Sequence, residues 1–133
     1  MIRTRIRKAQ KLLELQRGLQ RIEEAKIAGV RSRQAELATL QEDLVTALNA
    51  DEGPQGLLVV AIVRRLKNLG EEATRLGEEL ERRYETLRAH ASRAKVAERR
   101  SRAYEEQHAR DRAKKELLDV IDQIIGPGNA RLP

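Results

Sequence analysis

The sequence predicts an all-α fold: two long helices in an antiparallel coiled-coil hairpin, the second helix longer than the first. Three observations point there. Aromatic residues make up 2% of the 133 residues and charged residues 36%, with two Tyr, no Phe and no Trp. Sheets lean on aromatic and β-branched side chains, whereas a chain rich in Ala, Glu, Lys, Leu and Arg runs to long helices or coiled coils. One strong break lies inside the chain, Asn49-Ala50-Asp51-Glu52-Gly53-Pro54-Gln55-Gly56, and Gly and Pro are the main punctuators of local structure. Along most of the second half, apolar residues recur every 3.5 residues, the period of a coiled-coil seam.

The first helix is placed at about 3–48, because no Pro stands between Arg3 and Leu48. At 1.5 Å per residue it would be roughly 70 Å long. Its apolar residues read in two frames. Leu12, Leu15, Leu19 and Ile22 form the first; Val30, Arg33, Leu37, Leu40, Leu44 and Ala47 form the second. Leu19 and Val30 are eleven residues apart, which predicts a stutter that locally unwinds the supercoil. Gly18, Gly29, Gly70 and Gly77 lie inside the two helices, each costing about 1 kcal/mol relative to Ala. Gly29 and Gly77 fall beside the stutter, where they would make a soft point.

The turn occupies 49–56 and the second helix about 57–125. In that helix Val59, Leu66, Ala73, Leu80, Leu87 and Ala94 take one seam row. Ile62, Leu69, Leu76, Arg83, His90 and Ala97 take the other. Ten of these twelve are apolar, enough to carry a seam over more than five heptads. Continued onward the frame meets Ser101, Tyr104, His108, Asp111 and Lys115, so the apolar seam fades after Ala97. If the turn folds the helices antiparallel, residue i lies level with residue 106 minus i. The second helix then projects beyond the first by about 20 residues, roughly 30 Å. The seam fades where its partner runs out. Gly126-Pro127-Gly128 ends the helix, Gly126 being suited to a left-handed cap, and residues 126–133 are expected to form a disordered tail. Residues 1–125 are read as one coiled-coil domain.

The run Leu57 to Val63 is the longest uninterrupted apolar stretch, too short for a membrane span of about 20 residues. Only Val59, Ile62 and Leu66 face the seam, leaving Leu58, Val60 and Val63 over. They would either close the hairpin end with Leu44, Val45 and Leu48 or insert into a partner. The N-terminus alternates bases with short apolar residues rather than showing a signal peptide's apolar stretch. There is no Cys, which excludes a disulfide framework and a thiolate metal site. The expected compartment is the cytoplasm.

The net charge of +6 is uneven: +7 over residues 1–33, −6 over 34–81 and +5 over 82–133. An antiparallel hairpin would gather the two positive segments at one end, polarising the molecule toward a complementary partner. The densest bases are Arg3, Arg5, Arg7, Lys8 and Lys11, then Arg82, Arg83, Arg88, Arg93, Lys95, Arg99, Arg100 and Arg102. Acids stand at helical spacing before several of them, in Glu78–Arg82, Glu79–Arg83, Glu98–Arg102 and Glu106–Arg110, a favourable i,i+4 order. Much of the charge is therefore a solvated face. Nucleic acid is disfavoured as a partner, because no aromatic platform or zinc-finger, RNP or KH pattern accompanies the bases.

Catalytic chemistry is not legible. There is no phosphate loop and no HExxH. His90 and His108 stand eighteen residues apart on one helix, about 27 Å, too far to share a metal. Both take seam positions, as packed or partner-facing histidines or as a pH-sensitive contact. Glu71-Glu72, Glu78-Glu79 and Asp119 with Asp122 read as surface charge, and two helices offer no water-excluding pocket for catalysis. The expectation is a non-enzyme without cofactor or metal.

Candidate binding residues remain. Tyr104 continues the seam into the projecting segment, either capping it or anchoring a partner, as Tyr does at binding hot spots. Leu117, Leu118, Ile121, Ile124 and Ile125 form an apolar stripe beyond the reach of the first helix. Such a patch marks an interaction site, for a second copy or for another protein. The predicted partner-binding set is thus Arg3, Arg5, Arg7, Lys8, Lys11, Arg82, Arg83, Arg88, Arg99, Arg100, Tyr104, Leu117, Leu118, Ile121 and Ile125.

The stretches Leu12-Leu13-Glu14-Leu15-Gln16-Arg17, Ile22-Glu23-Glu24-Ala25-Lys26 and Leu37 to Leu48 resemble the first helix of FliJ/YscO proteins. Leu80-Glu81-Arg82-Arg83 through Arg99-Arg100 to Glu116 is similar to their long Arg-rich second helix. The resemblance covers about residues 3–120 and is compositional, without an invariant motif. It implies a cytoplasmic component of a flagellar or other type III export apparatus. In that role the hairpin would be a stalk in the hexameric export ATPase, linking it to the export gate at the inner membrane. The alternatives are a stand-alone coiled-coil adaptor or chaperone, and a basic coiled coil that binds nucleic acid.

Overall fold

Helix α1 spans Ile2–Leu48 and helix α2 spans Leu57–Ile125 in the computed structural model, which describes residues 1–50, 53 and 55–126. They are 47 and 69 residues long, an all-α hairpin with the longer helix second. The proposed tail at 127–133 and the turn residues 51, 52 and 54 lie outside the described residues.

The helix ends follow from local chemistry. At the start of α1 the Met1 carbonyl accepts from the Arg5 N–H at 3.2 Å, so the helical ladder begins at the first available residue. At the start of α2 the Gly56 carbonyl accepts from the Val60 N–H at 3.3 Å, and Gly56 itself has φ +62°. Only glycine takes that left-handed geometry without a Cβ penalty. The expected left-handed cap at Gly126 is not there: its φ is not positive, and a Cβ on it would clash with the Asp122 carbonyl oxygen. Gly126 is therefore required for its close approach to the last turn of α2 rather than for its handedness.

The chain divides into two compact units, Gly18–Ala91 and Met1–Arg17 with the chain from Ser92 on. Within Gly18–Ala91 the helices run antiparallel. Arg33 pairs with Glu72 at 3.0 Å and Arg83 with Glu23 at 3.3 Å, each within one residue of the expected i to 106−i register. Leu37 and Leu69, level in that register, are the two fully buried large side chains among the described residues. Burying each contributes about 1.5–3 kcal/mol. In the other unit Ala9, Ala94, Ala97 and Ser101 are buried. Side chains this small let two helices lie at the short end of the usual 8–10 Å separation. Gln10 donates to Glu105 at 3.0 Å and Arg17 lies 4.0 Å from Glu98, again antiparallel.

The seam of α2 follows the predicted frame. Every residue from Val59 to Ala97 in the two rows is buried or half-buried, and the pattern continues through Ser101, Tyr104 and His108. It then stops: residues 109–125 are all exposed.

The frame of α1 corrects the expectation in part: Val30, Leu37 and Leu44 keep their expected seam row, and the separate first frame is not there. One uninterrupted heptad runs through the helix: Ile2, Ala9, Gln16, Glu23, Val30, Leu37 and Leu44 in one row, Ile6, Leu13, Gln20, Ile27, Gln34, Gln41 and Leu48 in the other, all buried or half-buried. There is no stutter. Leu12, Leu15 and Ile22, assigned to the seam, are 48%, 55% and 53% exposed. The reason lies across the interface. In a 106−i register the seam residue Arg83 stands level with residue 23, and Glu23 gives it a carboxylate where a leucine would give none. A single frame also spares α1 the local unwinding that a stutter demands. Without the stutter the soft point at Gly29 and Gly77 loses its anchor. An added Cβ at either meets nothing within 4 Å.

Candidate protein-docking surfaces

The two ends of the sequence build one surface. In the unit of residues 1–17 and 92 onward, one flank of the helix pair forms an open groove of about 390 Å³. Ala9, Leu12, Val96 and Ala97 make its floor, with Tyr104 at one end. Arg5, Lys8, Arg93 and Arg100 stand around it. The groove exists because Leu12 faces outward, the consequence of the single α1 frame. An apolar floor with four cationic side chains suits an amphipathic helix carrying acids along its edges.

Of the predicted binding residues, Arg5, Lys8, Arg100 and Tyr104 line this groove, while Arg3, Arg7, Lys11 and Arg99 are exposed in the same unit. Tyr104 is half-buried, so it both continues the seam and walls the groove. Arg82 and Arg88 are exposed in the other unit. Arg83 lies in the seam, held by Glu79 at 2.8 Å and by Glu23, itself only 6% exposed. Hydrogen bonding to Glu79 is the largest cause holding the Arg83 guanidinium above its ordinary pKa, with Glu23 adding to it against some burial. Arg33 is raised likewise, first by Glu72 and then by Glu36. Among the expected i,i+4 pairs, Glu79–Arg83 and Glu98–Arg102 form.

The C-terminal stripe is exposed as predicted. Leu117 and Ile125 are 60% and 65% accessible, and Leu118, Ile121 and Ile124 are open as well. Val120, absent from the sequence reading, belongs with them. Leu58, Val60 and Val63 are exposed too, and Leu57 is 88% accessible. Leu44 and Leu48 stay in the seam instead of covering them, and Val45 is exposed.

A second hollow, in the other unit, is lined by Glu24, Ile27, Ala28, Arg31, Tyr84 and Leu87. The Arg31 guanidinium lies 5.4 Å from the Tyr84 ring centre, within cation–π range. The buried Tyr84 hydroxyl has no hydrogen-bond partner among the described residues.

Among the described residues no group of three or more His, Asp or Glu is placed to hold a metal ion, and no helix is long and apolar enough to cross a membrane. No protein-family model, no curated protein and no solved structure matches the chain.

Proposed function

We propose that this chain is a non-enzymatic coiled-coil stalk of a flagellar or other type III protein-export ATPase. It acts in the cytoplasm, docking by its basic groove into the hexameric ring and connecting the ring to the export gate at the inner membrane. The observation that carries the reading is the groove itself, four cations around an apolar floor. It offers charge for acidic loops of a ring pore and apolar area for affinity. The resemblance to FliJ/YscO proteins supplies the partner. Orientation follows from charge, since a basic surface is steered toward an acidic one before contact.

The test is ATPase stimulation. Purified protein is mixed with the export ATPase of its own organism, and phosphate release and ring assembly are followed. Stimulation saturating at one chain per hexamer is expected. Replacing Arg5, Lys8, Arg93 and Arg100 by Ala should abolish it, whereas Arg82→Ala with Arg88→Ala should leave it intact. No stimulation at micromolar concentration would overturn the stalk reading. The exposed stripe Leu117 to Ile125 favours a second reading, a coiled-coil adaptor or chaperone. Retained binding to an export substrate without any effect on the ATPase would establish it. Binding that tracks nucleic acid and falls steeply with salt would instead identify the basic coiled-coil alternative.

A further inference from the structure

The last ten residues of the segment that α2 leaves unpartnered form an acidic amphipathic helix, whereas the stretch before them, 109–115, carries Arg110, Arg112, Lys114 and Lys115 against Asp111. Residues 116–125 hold Glu116, Asp119 and Asp122 and no base. At 100° per residue Leu117, Leu118, Ile121, Ile124 and Ile125 share one face, and Glu116 and Asp122 fall at its two edges. The groove described above has the opposite composition, bases around an apolar floor.

We infer that the chain forms a two-fold dimer in which the C-terminal segment of each copy lies in the basic groove of the other. The inference holds whether or not the chain is an export stalk. Two features meet in it. The first is chemical complementarity: Glu116 and Asp122 of one copy meet the Arg5, Lys8, Arg93 and Arg100 side chains of the second, with aliphatic residues against Ala9, Leu12 and Val96. The second is reach. The seam ends at His108 and the exposed segment runs 109–125, seventeen residues; the groove's α2 residues begin at Ser92, sixteen before His108. A two-fold axis near His108 makes each stretch cover the other, as an isologous interface requires. Over each groove the product is a three-helix arrangement, α1 and α2 of one copy with the C-terminal segment of the other copy's α2 laid along the flank they leave open.

The experiment uses the full chain. Light scattering and sedimentation should give twice the 15.1 kDa monomer mass, with dimerisation weakened by added salt. Because the chain has no Cys, the double variant Val96→Cys, Ile121→Cys should cross-link into a covalent dimer on mild oxidation. Within one chain these positions are twenty-five residues apart on one helix, about 38 Å, too far to bridge. Arg93→Glu with Arg100→Glu should raise the dimer dissociation constant at least tenfold, and adding Glu116→Arg with Asp122→Arg should restore it. All four positions are exposed, and unchanged helicity by circular dichroism confirms the fold. A monomer at every concentration overturns the inference. So does a dimer indifferent to the charge reversals, or one that Val96→Cys alone cross-links as completely as the pair.

Discussion

Glu23 is the residue on which the helix pairing turns. It is a carboxylate in a seam, 6% exposed, and it is tolerable there because Arg83 approaches from the facing helix at 3.3 Å. Arg83 is tied in turn to Glu79. Removing the cation, as in Arg83→Met, should lower the melting temperature clearly, because a buried carboxylate is left uncompensated. Arg102→Met removes a pair that is 71% exposed on the arginine side and should change stability by no more than about 1 kcal/mol. The pH dependence of Arg33 and Arg83 follows from the direction of their shifts. Both are raised, so their contribution is complete below the unfolded-state pKa and is lost only as pH climbs through the folded value, in strong alkali. The difference in melting temperature between the native chain and Arg33→Met should therefore be constant from about pH 6 to about pH 9, a range far below an arginine's titration. At the apolar extreme stand Leu37 and Leu69, both fully buried. Leu37→Ala or Leu69→Ala should cost about 2–5 kcal/mol in urea unfolding.

At the scale of the element, both helices were legible, but only α2 showed its whole seam; that of α1 was legible in Val30, Leu37 and Leu44 and hidden toward the N-terminus. Ten of twelve seam residues of α2 between Val59 and Ala97 are apolar, so counting apolar residues finds its face. Five of the fourteen seam residues of α1 are Gln or Glu, namely Gln16, Gln20, Glu23, Gln34 and Gln41. Apolar counting therefore drifts onto Leu12, Leu15 and Ile22, which face solvent. The missing signal was relational: with α2 in frame and residue i level with 106−i, Leu69, Leu76 and Arg83 designate Leu37, Val30 and Glu23. The same error hid the groove, since Leu12 can line it only if Leu12 is outside the seam. Neighbouring substitutions separate the two frames. Leu13→Asp places a charge in the seam and should destabilise strongly, whereas Leu12→Asp should leave thermal unfolding nearly unchanged; equal effects would restore the stutter. The helical glycines give the opposite sign. Gly29→Ala and Gly77→Ala meet open space at the added Cβ, so each should raise stability by about 1 kcal/mol, read as a shift in the denaturant midpoint.

At the scale of the whole molecule, charge decides what binds what. The sequence carries +7 over residues 1–33 but an acidic run, with no base, over 116–125. Both the export ring and a second copy are proposed to use the basic groove. Two occupants of one surface exclude each other, and a dimer then holds the docking surface covered until a stronger acidic partner displaces the C-terminal segment. This makes a prediction that neither proposal makes alone. Ile121→Asp breaks the apolar face of the segment without touching the groove, so it should abolish the dimer and stimulate the ATPase at a lower protein concentration than the native chain. Arg93→Glu with Arg100→Glu damages the groove itself and should abolish both. The gain from Ile121→Asp is bounded by the dimer: when dimerisation is weak at the assay concentration there is little to release, and the advantage shrinks as the protein is diluted below the dimer dissociation constant. Measuring stimulation for the three proteins across a dilution series therefore reads the competition directly. If Ile121→Asp stimulates less than the native chain at every concentration, the segment is itself a contact for the ATPase rather than a cover over the groove.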